Sequence, residues 1–250
     1  MARILKQEEH TAKRNEILDV ALQLIYSKGY EKMTIQDILD QLKISKGAFY
    51  HYFDSKIEVL EAVIERMAAE QVEPMFLSII ENPDLSALEK LHGYFDMSTR
   101  WKTSKRALVT ELVKVWYSDE NALARQKMLA RTVEHMSPFF TEIIKQGVHE
   151  GVFTTPYPEV ASQVIMNLIY DLGYESGQMF ISEEAKQSDN LQRIDTLYMA
   201  YSDVLERILG APKGSIQFMT TEALKIWFSS DGPLQSENPA EVSISASRNL

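Results

Sequence analysis

Ser45-Lys46-Gly47-Ala48-Phe49-Tyr50-His51-Tyr52-Phe53-Asp54-Ser55-Lys56 is the stretch that decides how this 250-residue chain is read. Phe49 and Phe53 stand at i and i+4, so on a helix they share one face and anchor it to a core. Ser45, Lys46, Ala48, Tyr50, His51 and Tyr52 are then left facing outward, a set rich in hydrogen-bond donors and free of acids. Gly47 has no side chain and leaves room for a sugar–phosphate backbone to come close. Ser45 is placed to cap this helix, and Ser55 with Glu58 forms a capping-box pattern at the start of the next one. Lys56, in that next first turn, adds a cation beside free backbone N–H groups, a pairing suited to phosphate.

Upstream, Thr34-Ile35-Gln36-Asp37 is a Thr-x-x-acid helix start, with Ile35, Ile38, Leu39 and Leu42 at i, i+3, i+4 and i+7 behind it. Thr34 marks a second helix N-terminus suited to phosphate. That helix is about two turns long, and Lys43-Ile44 is a tight connection to the next. Residues 11–28 put Ile17, Ala21, Leu22 and Ile25 on one stripe, and Gly29 supplies the stop. Two short helices joined by a tight turn, with a longer one packed across them, make a helix-turn-helix over about residues 34–53. Tyr50, His51 and Tyr52 as three bare aromatics in a row would be a poor surface for solubility, which favours contact with DNA over decoration.

From Arg14 to about Met67, and above all over Ser45–Lys56, the chain resembles the N-terminal domain of TetR/AcrR-family transcriptional regulators. Thr34, Gly47, Tyr50, Phe53 and Lys56 stand where that family's pattern has Thr, Gly, Tyr, Phe and Lys. The resemblance implies an all-helical homodimeric repressor released from its operator by a small ligand. It implies DNA contacts at Thr34, Ser45, Gly47, Tyr50, His51 and Lys56, with Phe49 and Phe53 in the core. Lys46, Ala48 and Tyr52 join the DNA-facing set because they lie on the same outward turns. The recognition helix holds no Arg, so a bidentate guanine contact falls to Lys46 or to another element. Gly147-Val148-His149-Glu150-Gly151-Val152-Phe153 also resembles the turn before the family's dimerisation helices.

Charge names the same end of the molecule. The chain carries 26 Lys/Arg against 36 Asp/Glu, net −10. Residues 1–56 hold nine basic and eight acidic residues, net +1, which leaves net −11 for residues 57–250. A polyanion is tolerated only by the first part. Arg3, Lys6, Lys13 and Arg14 form a basic arm or, interleaved with Glu8, Glu9 and Glu16, an ordinary mixed surface. Apolar residues at 45% describe a globular chain with a sizeable core. No apolar run of about 18 residues is present to span a bilayer, and no signal-peptide pattern opens the chain. With no cysteine, disulfides and thiol chemistry are excluded, and the expected location is cytoplasmic.

Beyond Lys56 the pattern stays helical, with segments at roughly 55–74, 84–101, 104–117, 119–148, 158–181, 189–209 and 219–229. The fold class is all-α: a helix-turn-helix domain at 1–56, a larger helical effector-binding and dimerisation domain at 57–230, and a polar, disordered tail at 231–250. Phe95, Met97, Trp101, Trp116, Tyr117, Met128, Met136, Phe139, Phe140, Tyr170 and Tyr174 are the expected pocket residues; plain core accounts for each taken singly, a cavity for some of the cluster. Asp171 and Glu175 either receive a cationic ligand or form a solvated stripe. The wide apolar faces of 158–181 and 189–209 predict an intermolecular four-helix bundle through Ala161, Ile165, Leu168, Leu172, Gly173, Leu197, Tyr201, Val204 and Ile208. Gly173-x-x-x-Gly177 would allow close helix approach there.

The five histidines, at 10, 51, 92, 135 and 149, show no metal-binding spacing, and no phosphate loop or nucleophile elbow is present. No metal, cofactor or enzymatic activity is expected. The expected partners are double-stranded operator DNA, a second copy of the chain and a small-molecule effector, with no membrane. The rival readings are a helical adaptor that binds protein through the 158–209 face, and an all-α enzyme.

Overall fold

The structure, a computed structural model, describes residues 2–181, 188–220, 223, 224 and 227. Among these residues there are ten α-helices and no strand. They are α1 (Ala2–Lys28), α2 (Ile35–Leu42), α3 (Lys46–Tyr50), α4 (Lys56–Met67), α5 (Glu73–Ile80), α6 (Ala87–Ser104), α7 (Arg106–Trp116), α8 (Ala122–His149), α9 (Pro158–Ile181) and α10 (Ser188–Leu209). The expected tail at 231–250 and most of the expected helix at 219–229 lie outside the described residues.

The chain divides into two compact units, one ending at Val63 and one beginning at Ile64. The first therefore runs past residue 56, because Val59, Leu60 and Val63 on the first turns of α4 are buried with it. Its core also takes Ile17, Leu18, Ala21 and Ile25 from α1, Ile38 and Leu39 from α2, and Phe49 and Phe53. Leu18 replaces Leu22 on the α1 stripe: Leu18 is fully buried while Leu22 is only half-buried.

α1 begins at Ala2, not near residue 11. No core draws it out, since residues 7–12 are exposed; a run of strong helix formers extends it by propensity. Thr34 caps α2, its Oγ1 accepting from Asp37 N at 3.1 Å while Thr34 N donates to Asp37 Oδ2 at 2.7 Å. α2 ends on Lys43 at φ 54°, a left-handed residue whose N–H donates to Leu39 O, and this makes the turn into α3 tight. Ser45 caps α3, which is only five residues long. Phe53 leaves the helix but still donates its N–H to Phe49 O, so both rings stay on the inner face.

In the second unit α4 does not end at Pro74. A wider π-type stretch, Ala68–Val72, leads into α5, and Pro74 sits in the first turn of α5, where a missing N–H costs nothing. The core gathers Phe76, Leu91, Phe95, Phe140, Ile143, Ile144, Phe153, Ile165, Leu205 and Leu209. After α10, the buried Glu206 carboxylate accepts from Gly214 N and Ile216 N, both at 2.9 Å. That double contact orders the following loop and turns Phe218 inward beside Phe95, ring centres 4.4 Å apart.

Candidate functional site

The surface of α3 is built from the inside. With Phe49 and Phe53 buried, Ser45, Lys46, Gly47, Tyr50 and His51 are exposed, and Ala48 and Tyr52 are half-exposed. Ser45 Oγ is engaged in the cap, accepting from Ala48 N at 3.2 Å. Lys46 Nζ stands 5.8 Å from the centre of the Tyr50 ring, so a cation and a phenol project together. A methyl added to Gly47 would meet nothing nearer than Ser45 Oγ at 3.9 Å. Nothing in the fold needs glycine there; what the glycine leaves is open surface on the outward side.

Two sites at helix starts flank this surface. Lys56 Nζ sits 4.1 Å above the Tyr30 ring and donates to Glu31 O at 3.3 Å. Partial burial lowers its pKa, with Glu31 opposing the shift, and burial followed by Glu31 pushes the Tyr30 phenol up to about 12. Lys56 is thus oriented by the chain itself rather than waving in solvent. At Thr34 the hydroxyl donates to Asp37 Oδ2 at 2.6 Å, and Lys28 Nζ pairs with the same oxygen at 2.6 Å. The Lys28 and Thr34 contacts hold the Asp37 carboxyl down at about 2.

One residue of this surface escaped the sequence. His10, on the propensity-driven part of α1, packs its ring 4.6 Å from Tyr52 and 5.4 Å from His51. His51 and Tyr52 meet edge-on at 5.2 Å, so three aromatics from α1 and the end of α3 form one cluster. No local motif marks His10; only the extra length of α1 brings it there.

The second unit holds a cavity of about 160 Å³ between α6, α7, α9 and α10 and the loop after α10. Of the eleven residues expected to line it, Phe95 and Tyr117 do. Met97, Trp116 and Phe140 are buried in plain core, and Met136 and Phe139 pack against that core. Trp101 turns away to donate from Nε1 to Gln71 Oε1 at 3.1 Å. Met128 and Tyr170 do not line the cavity either, Tyr170 donating to Arg125 O at 3.4 Å. Tyr174 supports from behind, its ring 4.9 Å from that of Tyr117. The lining that the sequence did not mark includes Tyr94, Ser98, Thr99, Lys102, Tyr198 and Trp227. Burial pushes the Tyr94 phenol up to about 12, and it raises Tyr117 and Tyr198 as well. Arg125 Nη1 donates to Trp116 O at 2.7 Å and Ser118 O at 2.6 Å, fixing the end of α7 that carries Tyr117.

Several residues expected at a dimer face serve the chain's own core instead. Ala161, Ile165 and Leu172 are buried within the second unit. Gly173 and Gly177 face Tyr117, and a methyl at Gly177 would come 2.6 Å from Tyr117 Cε2. The glycine pair is therefore an intrachain fit to α7's last turn. Leu168, Leu197, Tyr201 and Ile208 are half-buried, and Tyr201 donates its hydroxyl to Asp171. Asp171 and Glu175 are both exposed, the arrangement of a solvated stripe. The apolar side chains left on the outer faces of α9 and α10 are Val160, Val164, Met199 and Val204. Among the described residues no cluster of three or more metal-ligating side chains occurs, and no helix is long and apolar enough to cross a membrane.

Comparison with known proteins gives the same division of the chain. Residues 17–63 match the family model for bacterial regulatory proteins of the tetR family, and residues 105–182 match that of the tetracyclin repressor-like C-terminal domain. The HTH-type transcriptional regulator of the lacX 3′ region of Lactococcus lactis subsp. lactis is 52% identical over 52 residues, 21% of this chain and 26% of that protein. The HTH-type transcriptional repressor KstR2 of Mycolicibacterium smegmatis is 26% identical over 169 residues, 66% of this chain and 78% of the relative. Among solved structures, RolR in complex with resorcinol superposes with a TM-score of 0.58 at 17% identity, over 91% of this chain and 98% of that one. The half of the sequence spanned by the two family models carries both the α3 surface and much of the cavity wall, and with them the chain belongs to the TetR family as a helix-turn-helix transcriptional regulator.

Proposed function

We propose that this chain represses transcription by docking α3 in the major groove of a near-palindromic operator, and that a small molecule held in the cavity of the second unit releases it. The observation that carries the DNA reading is the open space at Gly47, set between a capped α3 N-terminus and the exposed Tyr50 and His51. Such a surface admits a phosphate backbone within contact distance while side chains on the next turn reach base edges. Support for an effector comes from the lined cavity. RolR, a protein of the same fold, is described with resorcinol bound.

The functional unit in this reading is a homodimer formed through the outer faces of α9 and α10, where Val160, Val164, Met199 and Val204 lie exposed. Two copies would present two recognition helices to half-sites related by two-fold symmetry. An effector that favours a head spacing unsuited to the operator weakens binding in proportion to its preference, typically by about 5–150-fold. An electrophoretic shift assay on DNA upstream of the chain's own gene tests the repressor, with sedimentation on the same sample for the dimer. A specific complex and a species twice 28.6 kDa support it; binding no tighter than to scrambled duplex, or a monomer at micromolar concentration, overturns it.

A further inference from the structure

The cavity wall is mostly aromatic and aliphatic; besides Thr110 on α7 and Ser176 on α9, its polar side chains gather along one edge of α6. There Ser98, Thr99 and Lys102 follow one another on the same helical face, and all three line the space. Lys102 is the one charged residue among the described lining residues, and no Asp or Glu accompanies it. Among the described residues nothing hydrogen-bonds or ion-pairs with its Nζ, although the chain as a whole is acid-rich. Lys102 is solvent-exposed as well as lining the space, and the protein packed beside it lowers its pKa by desolvation. An ammonium at the edge of an apolar space, with no acid among the described lining residues, suits the charged end of an anionic ligand whose apolar part fills the space.

Resting on the reading of this cavity as the effector site, we infer that it takes a small aromatic carboxylate, with the carboxylate on Lys102 between the Ser98 and Thr99 hydroxyls. The ring would lie against Phe95, Tyr117 and Phe218. The room, about 160 Å³, is close to that of an engineered cavity of about 150 Å³ that accommodates benzene, so a single ring with a short substituent is the right size. One lysine neutralises one charge. A phosphate monoester would bring a second negative charge into an aromatic space, which favours a carboxylate.

The test uses the full-length protein and three near-isosteric probes, benzoate, benzamide and benzylamine, with affinities from calorimetry. Benzoate is expected to bind about tenfold or more tightly than benzamide, and benzylamine weakest of all. In Lys102→Met the benzoate advantage should vanish while benzamide affinity is unchanged, and Lys102→Arg should keep most of the advantage. Val113→Phe, which fills the cavity, should abolish binding of every probe. If benzamide matches benzoate in the native chain, or the advantage survives in Lys102→Met, the carboxylate assignment is wrong and the cavity remains a ligand site. If none of the probes binds, nor phenol as a neutral check, the effector reading fails and the carboxylate assignment fails with it.

Discussion

Gly147 lies directly against the ring of Phe153: a methyl on its Cα would stand 2.1 Å from Phe153 Cδ2 and 2.4 Å from Cε2. The contact is locked by the backbone, since Val152 N and Phe153 N both donate to Gly147 O, at 2.9 and 3.0 Å, and Gly151 turns the chain at φ 75°. Phe153 is 2% exposed and has nowhere to retreat. Gly147→Ala should therefore cost at least ~1–3 kcal/mol of stability, read by urea denaturation. Gly147→Ala combined with Phe153→Leu should recover part of that loss. Additive losses in the double variant would mean the ring is not what the methyl meets.

Gly47 predicts the opposite sign. Its missing side chain faces open space, and its backbone is helical. Gly47→Ala should leave stability unchanged or raise it by up to ~1 kcal/mol, because alanine is the better helix former. Operator affinity should fall nonetheless, as the methyl occupies the space left for the DNA backbone. Thermal melts and electrophoretic shifts on the same preparation check both halves. An alanine variant that binds operator normally would remove Gly47 from the interface.

Why α3 was legible and the cavity was not follows from how far each depends on distant packing. Ser45, Lys43 and Phe49 with Phe53 set the helix-turn-helix by caps, a turn and one i, i+4 pair, all within a dozen residues of sequence. The cavity depends on which way adjacent residues point once five segments have packed. Trp116 and Tyr117 are neighbours, yet one is buried in plain core and the other lines the space. On α9 the same rotation separates Ala161 and Ile165, buried, from Val160 and Val164, exposed; an apolar face wide enough for both shows that two surfaces are served but not which is which. His10 was invisible for a third reason, since no apolar stripe announces a helix extended by propensity alone.

The Thr34–Asp37–Lys28 cluster should appear as an acid limb in stability. Asp37 sits at about 2 in the folded chain, below its ordinary value near 3.8, held there first by Lys28 and then by Thr34. A depressed folded pKa contributes stability that is complete above the unfolded value and is lost as pH falls through about 2. Asp37→Asn should thus lower stability at neutral pH and flatten its pH dependence between about 4 and 2. Thr34→Ala should cost ~1 kcal/mol through removal of the cap. Chemical denaturation at a series of pH values decides it: an Asn variant with an unchanged acid limb would show that other carboxylates own that limb.

Affinity and specificity should divide between Lys56 and His51. Lys56 is held over Tyr30 with its Nζ at Glu31 O, at the start of α4, where in the proposed docking a phosphate would meet a cation beside a helix N-terminus. Lys56→Ala should weaken operator and random duplex about equally and reduce the salt slope by about 0.9, the increment for a single lysine–phosphate pair. Removing the ammonium from the Tyr30 ring should also cost ~0.5–1 kcal/mol of stability, so binding is compared at a temperature where both proteins are folded. His51 closes α3 as its C-cap and packs edge-on to Tyr52 and His10, and in the proposed docking of α3 it is the residue that would reach base edges. His51→Ala should cut operator binding by ~1–3 kcal/mol while leaving much of the random-duplex binding intact. The acidic composition sharpens the comparison, because residues 57–250 carry net −11 and on balance repel a polyanion. Both variants are measured on operator and scrambled duplex at two salt concentrations. A Lys56→Ala protein that discriminates between the two duplexes, beside a His51→Ala protein that does not, would place α3 the other way round on the DNA.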